Sequence, residues 1–186
     1  YFQLKEVVEH FSVSTSYHVA LATLRMIRTS CDCRRAIMLF STTLDLKNDE
    51  GFFRALLVHN PGCLALASDA IRDREDIVMI AIREDGCALQ WASCRLKAVQ
   101  EVAMVAVRND GLALEWVSES LRADRRVVMT AVHEDGSAIQ WASEYLRGDF
   151  EIATVAVQND EFSLEWVSEE LRGNSTLVMF AIDIWT

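Results

Sequence analysis

The chain has 186 residues, 51% of them hydrophobic and 25% charged, with a formal net charge of -10. That length suits one domain, and the balance is that of a folded chain rather than a disordered one. So acidic a chain is repelled by phosphate backbones and anionic lipid, so neither nucleic acid nor a membrane surface is expected as a partner.

The longest apolar run, around residues 177–182, is too short to span a bilayer. The first residues lack a basic stretch followed by an apolar one, so no signal peptide is expected. Tyr1-Phe2-Gln3 reads equally as native sequence or as the tail of a protease-site linker. The five cysteines are Cys31, Cys33, Cys63, Cys87 and Cys94. Their odd number, and the lack of the two-residue gap of a zinc or redox motif, point to free thiols in a reducing, intracellular compartment. No metal or cofactor is expected.

Residues 1–47 form an N-terminal helical cap in this reading. Residues 4–11 and 17–27 are predicted helices, with a break at 12–16. Residues 35–47 align 25 positions back from 60–72 and are read as a worn repeat helix. A stack needs such an atypical end to tolerate solvent.

From Asn48 the chain repeats. Trp91, Trp116, Trp141 and Trp166 are each 25 residues apart, within stretches such as D-G-S-A-I-Q-W-A-S-E-Y-L-R at 135–147. A fixed period of this size marks a stacked repeat protein. The units run 48–72, 73–97, 98–122, 123–147 and 148–172, with a partial unit at 173–186. Each unit holds a nearly all-apolar helix A and an amphipathic helix B. Helix A carries alanine at Ala81, Ala106, Ala131, Ala156 and Ala181, a small residue that lets helices approach closely. Its Val and Ile content would also suit a buried strand, but the i, i+4 spacing favours a helix. Leu89, Ala92 and Leu96 form the apolar stripe of helix B, and Glu119–Arg122, Glu144–Arg147 and Glu169–Arg172 have the i, i+3 spacing of surface ion pairs.

The junction before helix B is Asp-Gly at 85, 110 and 135, but Asn60-Pro61 and Asp160-Glu161 elsewhere. Proline cannot take the left-handed conformation of a helix-ending glycine, whereas Pro, Gly and Glu all suit a first helical position. The Asp is therefore read as an N-cap, with Gly86, Gly111 and Gly136 in the first turn at negative φ. Asp124, Asp149 and Asn174 are read as caps of helix A. Copies two apart resemble each other most, E-D-G at 84–86 and 134–136 against N-D at 109–110 and 159–160. This suggests a duplicated 50-residue pair. The sequence ends at Thr186 after a helix A, so Trp185 is a candidate contact through which an apolar end packs against something or the native chain continues.

The unit A-V-x-x-D-G-x-A-L-x-W-A-S-x-x-L-R-x-D, as at 131–149, resembles the repeat family known as domain of unknown function 4116. The likeness covers about 48–182; Pro61, Glu161 and Leu66 depart from its pattern. It implies repeat architecture and, by analogy, a binding role, and it supplies no catalytic residue.

The expected fold is thus all-α, a short-period αα-solenoid of two-helix repeats. The repeated aspartates are explained as caps, and each Trp as filler between adjacent repeats. His10, His18, His59 and His133 show no zinc spacing, and no nucleophile or phosphate-loop motif appears. The expected function is a non-catalytic protein-binding scaffold or targeting module. Its candidate partner-binding residues are the exposed column Gln90, Glu115, Gln140 and Glu165, then the column Arg83, Arg108, His133 and Gln158 at the ends of successive A helices. Two alternatives stand beside it: a structural subunit that self-associates or assembles through its apolar C-terminal end, and an accessory domain of a longer enzyme.

Overall fold

The computed structural model describes residues 46–183. The helices expected at 4–11 and 17–27, nearly all of the worn helix at 35–47, the Cys31-x-Cys33 pair and Trp185 lie outside the described residues. The chain divides into two compact units, Tyr1–Ala81 and Ile82–Thr186. Every regular element among the described residues is helical.

In the first unit a 3-10 turn at Leu46–Asn48 leads into α1 (Glu50–Leu57), a 3-10 helix at Pro61–Leu66, the single turn α2 (Asp69–Arg72) and the start of α3 (Glu75–Glu84). Asp49 caps α1, its side chain accepting the Phe52 amide at 2.8 Å. α1 buries Phe52, Phe53, Leu56 and Leu57, and the two Phe rings meet edge to face at 5.6 Å. Outside this core, Arg74 pairs with both Glu50 and Asp76, and Arg54 pairs with Asp76.

The second unit holds the rest of α3 and the regular repeats. Its long helices are α5 (Gln100–Asn109), α7 (Arg125–Glu134), α9 (Phe150–Asn159) and α11 (Ser175–Asp183). Successive long helices pack side by side. Ala106, Ala131 and Ala156 are fully buried at those contacts, as the small-residue column predicts. The branched residues around them, such as Val102, Val107, Val127 and Val132, are equally buried. Each such side chain withdrawn from water contributes about 1.5–3 kcal/mol.

Helix B differs from its expected form. It is a six-residue 3-10 helix followed by two extended residues and a single α turn. The pieces are Gly86–Trp91 with α4 (Cys94–Lys97), Gly111–Trp116 with α6 (Glu119–Arg122), and Gly136–Trp141 with α8 (Glu144–Arg147). Glu161–Glu165 with α10 (Glu169–Arg172) closes the series. The serine of the W-x-S column stands at the break, and three of its four copies here cap the turn that follows, whereas the Ser118 hydroxyl bonds that of Ser120. Ser93, Ser143 and Ser168 each cap the following turn, accepting from Leu96, Leu146 and Leu171 amides at 3.3–3.4 Å. Freed from the helix, the serine backbone amide instead donates to the repeat before it. The bonds are Ser118 N to Lys97 O (3.0 Å), Ser143 N to Arg122 O (2.9 Å) and Ser168 N to Arg147 O (3.0 Å). One unbroken helix would forfeit this row of main-chain links between neighbours. The 3-10 pieces stack on one another as a second layer beneath the long helices.

The cap assignments hold. Asp85, Asp110 and Asp135 accept amides two residues on at 2.9 Å. Asp124, Asp149 and Asn174 do the same for the long helices. No glycine among the described residues has positive φ. The structure adds why glycine stands at the junction. A Cβ on Gly86 would lie 2.3 Å from the carbonyl oxygen of Ala106, and on Gly136 it would lie 2.3 Å from that of Ala156. The end of the next long helix occupies the space a side chain would need.

Two asparagines fasten these junctions. Asn109 accepts from Gly86 N at 2.7 Å and donates to Arg83 O at 2.8 Å. Asn159 makes the equivalent bonds to Gly136 N at 3.2 Å and His133 O at 2.8 Å. The alternating position, Glu134, is a glutamate and makes no such clamp. The two-unit periodicity of the sequence thus has a physical counterpart: every second junction is pinned by an amide side chain.

Candidate functional site

The two candidate columns fare differently. Gln90 and Gln140 are half-buried and fold back on their own 3-10 helices, donating to the carbonyls of Cys87 (3.1 Å) and Ser137 (3.0 Å). Glu115 is half-buried and Glu165 exposed. That column is partly committed to its own repeat. Arg83, Arg108, His133 and Gln158 are all exposed, at the C-terminal ends of α3, α5, α7 and α9. They form a row across four consecutive repeats, where a positive side chain also offsets the helix dipole.

Beside that row lies an apolar belt. On α5 the positions Glu101, Met104, Val105 and Arg108 share one face by helical spacing. The belt continues through Met129 and Thr130 on α7, then Thr154 and Val155 on α9, all half-buried. The threonine hydroxyls are spent within their helices, Thr130 on Arg126 O (2.8 Å) and Thr154 on Phe150 O (2.7 Å). Between α5 and α7 the face opens into a cleft of about 410 Å³ lined by Gln100, Glu101, Met104, Val105, Arg108 and Arg126. Among the described residues, neither arginine has a carboxylate partner. Arg125, next to one of them, is held by Asp149 and Glu151.

The opposite layer carries the tryptophans, and here the expectation of core filling is corrected. Trp91 is 36% and Trp166 39% exposed, while Trp116 and Trp141 are half-buried. The reason is the break in helix B. Each Trp ends or follows a 3-10 piece just before the chain turns, which leaves it at the surface. Lys97 Nζ sits 5.9 Å from the centre of the Trp116 ring and donates to Gln90 O at 2.8 Å. Arg122, one repeat on, lines a cleft of about 240 Å³ with Trp141 and Glu144. Among the described residues the expected Glu119–Arg122, Glu144–Arg147 and Glu169–Arg172 ion pairs do not close. Of that spacing only Asp69–Arg72 closes, at 2.5 Å, among the described residues. Arg122 and Arg147 instead bury Nε without a hydrogen-bond partner.

One cluster was not foreseen from the sequence. Ligand atoms of Asp85, Cys87 and Asp110 lie within 4.8 Å of one another. Cys87 donates its S–H to Asp110 Oδ2 at 3.1 Å. Burial first, then the hydrogen bond and charge of Asp110, push the thiol up to about 12. Both carboxylates already serve as caps, so the cluster is explained by the junction it belongs to. Only the 25-residue spacing of Asp85 and Asp110 hinted at it, since stacking brings equivalent positions together.

Stacked three-piece repeats, with one face of long helices and one of short turns, define a helical repeat protein. The chain matches the domain of unknown function (DUF4116) over residues 74–122, 99–147 and 124–172, each match spanning two repeats. It belongs to that family. No curated protein and no solved structure matches the chain.

Proposed function

We propose that the chain is a non-catalytic protein-binding scaffold that uses the exposed face of its long helices. One observation carries this reading. Across otherwise equivalent repeats the buried columns stay constant, as at Ala106, Ala131 and Ala156, while the exposed row changes from Arg108 to His133 to Gln158. Packing fixes the first set. The variation of the second gives each repeat its own contact chemistry, the way extended repeat surfaces achieve selectivity. No helix of the described residues is long and apolar enough to cross a membrane, which is compatible with a scaffold that meets its partner in water.

The experiment is crosslinking mass spectrometry of captured complexes, comparing the native chain with a His133→Glu, Gln158→Lys variant. Crosslinks concentrated on α5, α7 and α9, with partners lost in the variant, support the reading. Crosslinks concentrated on the tryptophan layer and unchanged capture would move the site there.

A further inference from the structure

The partner's chemistry can be inferred one step further, on the reading that the long-helix face binds protein. We propose that the cleft between α5 and α7 takes a segment carrying carboxylate side chains next to apolar ones, laid across the helices rather than along them.

Charge complementarity favours an acidic occupant even though the chain as a whole is acidic. Acidic residues outnumber basic ones by 28 to 18. Among the described residues of the first unit, Arg54, Arg72 and Arg74 are all in ion pairs. Arg108 and Arg126 line the cleft with no carboxylate paired to either among the described residues, beside the apolar Met104 and Val105. Glu101 is the one acid on its wall. A basic ligand would have to pass two unpaired guanidinium groups to reach that single acid; an acidic one meets two cations and an apolar lining. The back-bonded Thr130 and Thr154 extend the apolar surface onto the next two helices. The basic row Arg83, Arg108 and His133 runs in the same direction.

This geometry predicts a spacing. Packed helices lie roughly 8–10 Å apart. An extended segment advances about 3.3 Å per residue. Acidic side chains about three residues apart therefore meet successive repeats.

The test is selection of a random peptide display library on the full chain and on the Arg108→Glu, Arg126→Glu variant, both checked for native helicity by circular dichroism. Met104→Glu serves as a second variant, altering the apolar lining without touching the cations. Enrichment of acidic–apolar peptides with acids about three residues apart, bound roughly tenfold more weakly by either variant, supports the proposal. The charge-reversed variant should in turn enrich basic peptides. Peptides enriched equally on all three proteins overturn this proposal and leave the scaffold reading standing with its site elsewhere. Basic peptides enriched on the native chain overturn it as well. No enrichment on any protein overturns both.

Discussion

Cys87 and Cys94 are seven residues apart and chemically opposite. Cys94 is exposed on the first residue of α4. Cys87 is half-buried, and its thiol sits well above the ordinary range because burial and Asp110 oppose a thiolate. Only the thiolate is a nucleophile, so iodoacetamide near pH 8 should label Cys94 and spare Cys87. Asp110→Asn removes the opposing charge and retains a capping side chain, so it should increase Cys87 labelling, read by peptide mass spectrometry. Equal labelling of both cysteines in the native chain would refute this account. The folded-state value of the Cys87 thiol is raised, so its contribution to stability is intact below the ordinary thiol range and is lost as pH rises toward about 12. Gly136 gives the steric counterpart. Its Cβ would press on the Ala156 carbonyl and the Asp160 amide, both backbone atoms. Gly136→Ala should therefore destabilise by about 1–3 kcal/mol in urea unfolding, despite the negative φ that alanine tolerates. A neutral effect would mean that the junction relaxes freely.

At the scale of elements, the alternation of junctions makes a prediction in both directions. Asn109 satisfies Gly86 N and Arg83 O together, so Asn109→Ala should cost on the order of 1–3 kcal/mol. Glu134 stands in the same relation to Gly111 N and Arg108 O, 23 and 26 residues back. Glu134→Asn should add a clamp and raise stability by roughly 0.5–1.5 kcal/mol. Chemical denaturation of both variants checks the pair, and a destabilising Glu134→Asn would refute it. The elements also show what the chain disclosed in advance. The period, the buried alanines and the aspartate caps were legible because each depends on residues near in sequence or on a column at fixed spacing. The Asn clamp was visible only as the difference between N-D and E-D copies, since its partners are a full repeat away. The broken helix B was missed because Leu89, Ala92 and Leu96 fit a continuous stripe. The constant serine at 93, 118, 143 and 168 was the signal of an interruption there, a second cap at every copy but Ser118, whose hydroxyl bonds Ser120. That break then decided the tryptophans: a stripe on one helix would have buried them, and a chain that turns just after them leaves them half-exposed. The candidate site was legible as a row, Arg83 to Gln158, but the cleft beside it needed Arg126 from a different helix end.

For the molecule as a whole, the excess of acid sets two opposing responses to pH. Unpaired carboxylates repel one another, and protonating them as pH falls from neutral relieves that repulsion. Among the described residues, two carboxylates oppose this trend. The Asp76 carboxyl is held below the usual range by the Arg74 hydrogen bond, with Arg54 adding to it. Burial of Asp149 pushes its pKa the other way, but amide bonds from Ile152 and Glu151 and the Arg125 guanidinium prevail and hold it low. A folded-state value below the unfolded one means stability present above the ordinary carboxylate range and lost as pH falls through the depressed value. The melting temperature, followed by helical circular dichroism, should therefore hold or rise from neutrality to about pH 5 and fall below about pH 4. Arg125→Gln should flatten the acid limb, because it removes the guanidinium that holds Asp149 down, while leaving the amide bonds of the cap in place. A melting temperature that climbed steadily to about pH 3 would mean that charge repulsion alone governs the chain and that the paired aspartates contribute nothing. Added salt separates the two terms further. It should raise stability at neutral pH, where screening relieves net repulsion, and do less near the isoelectric point of about 4.8.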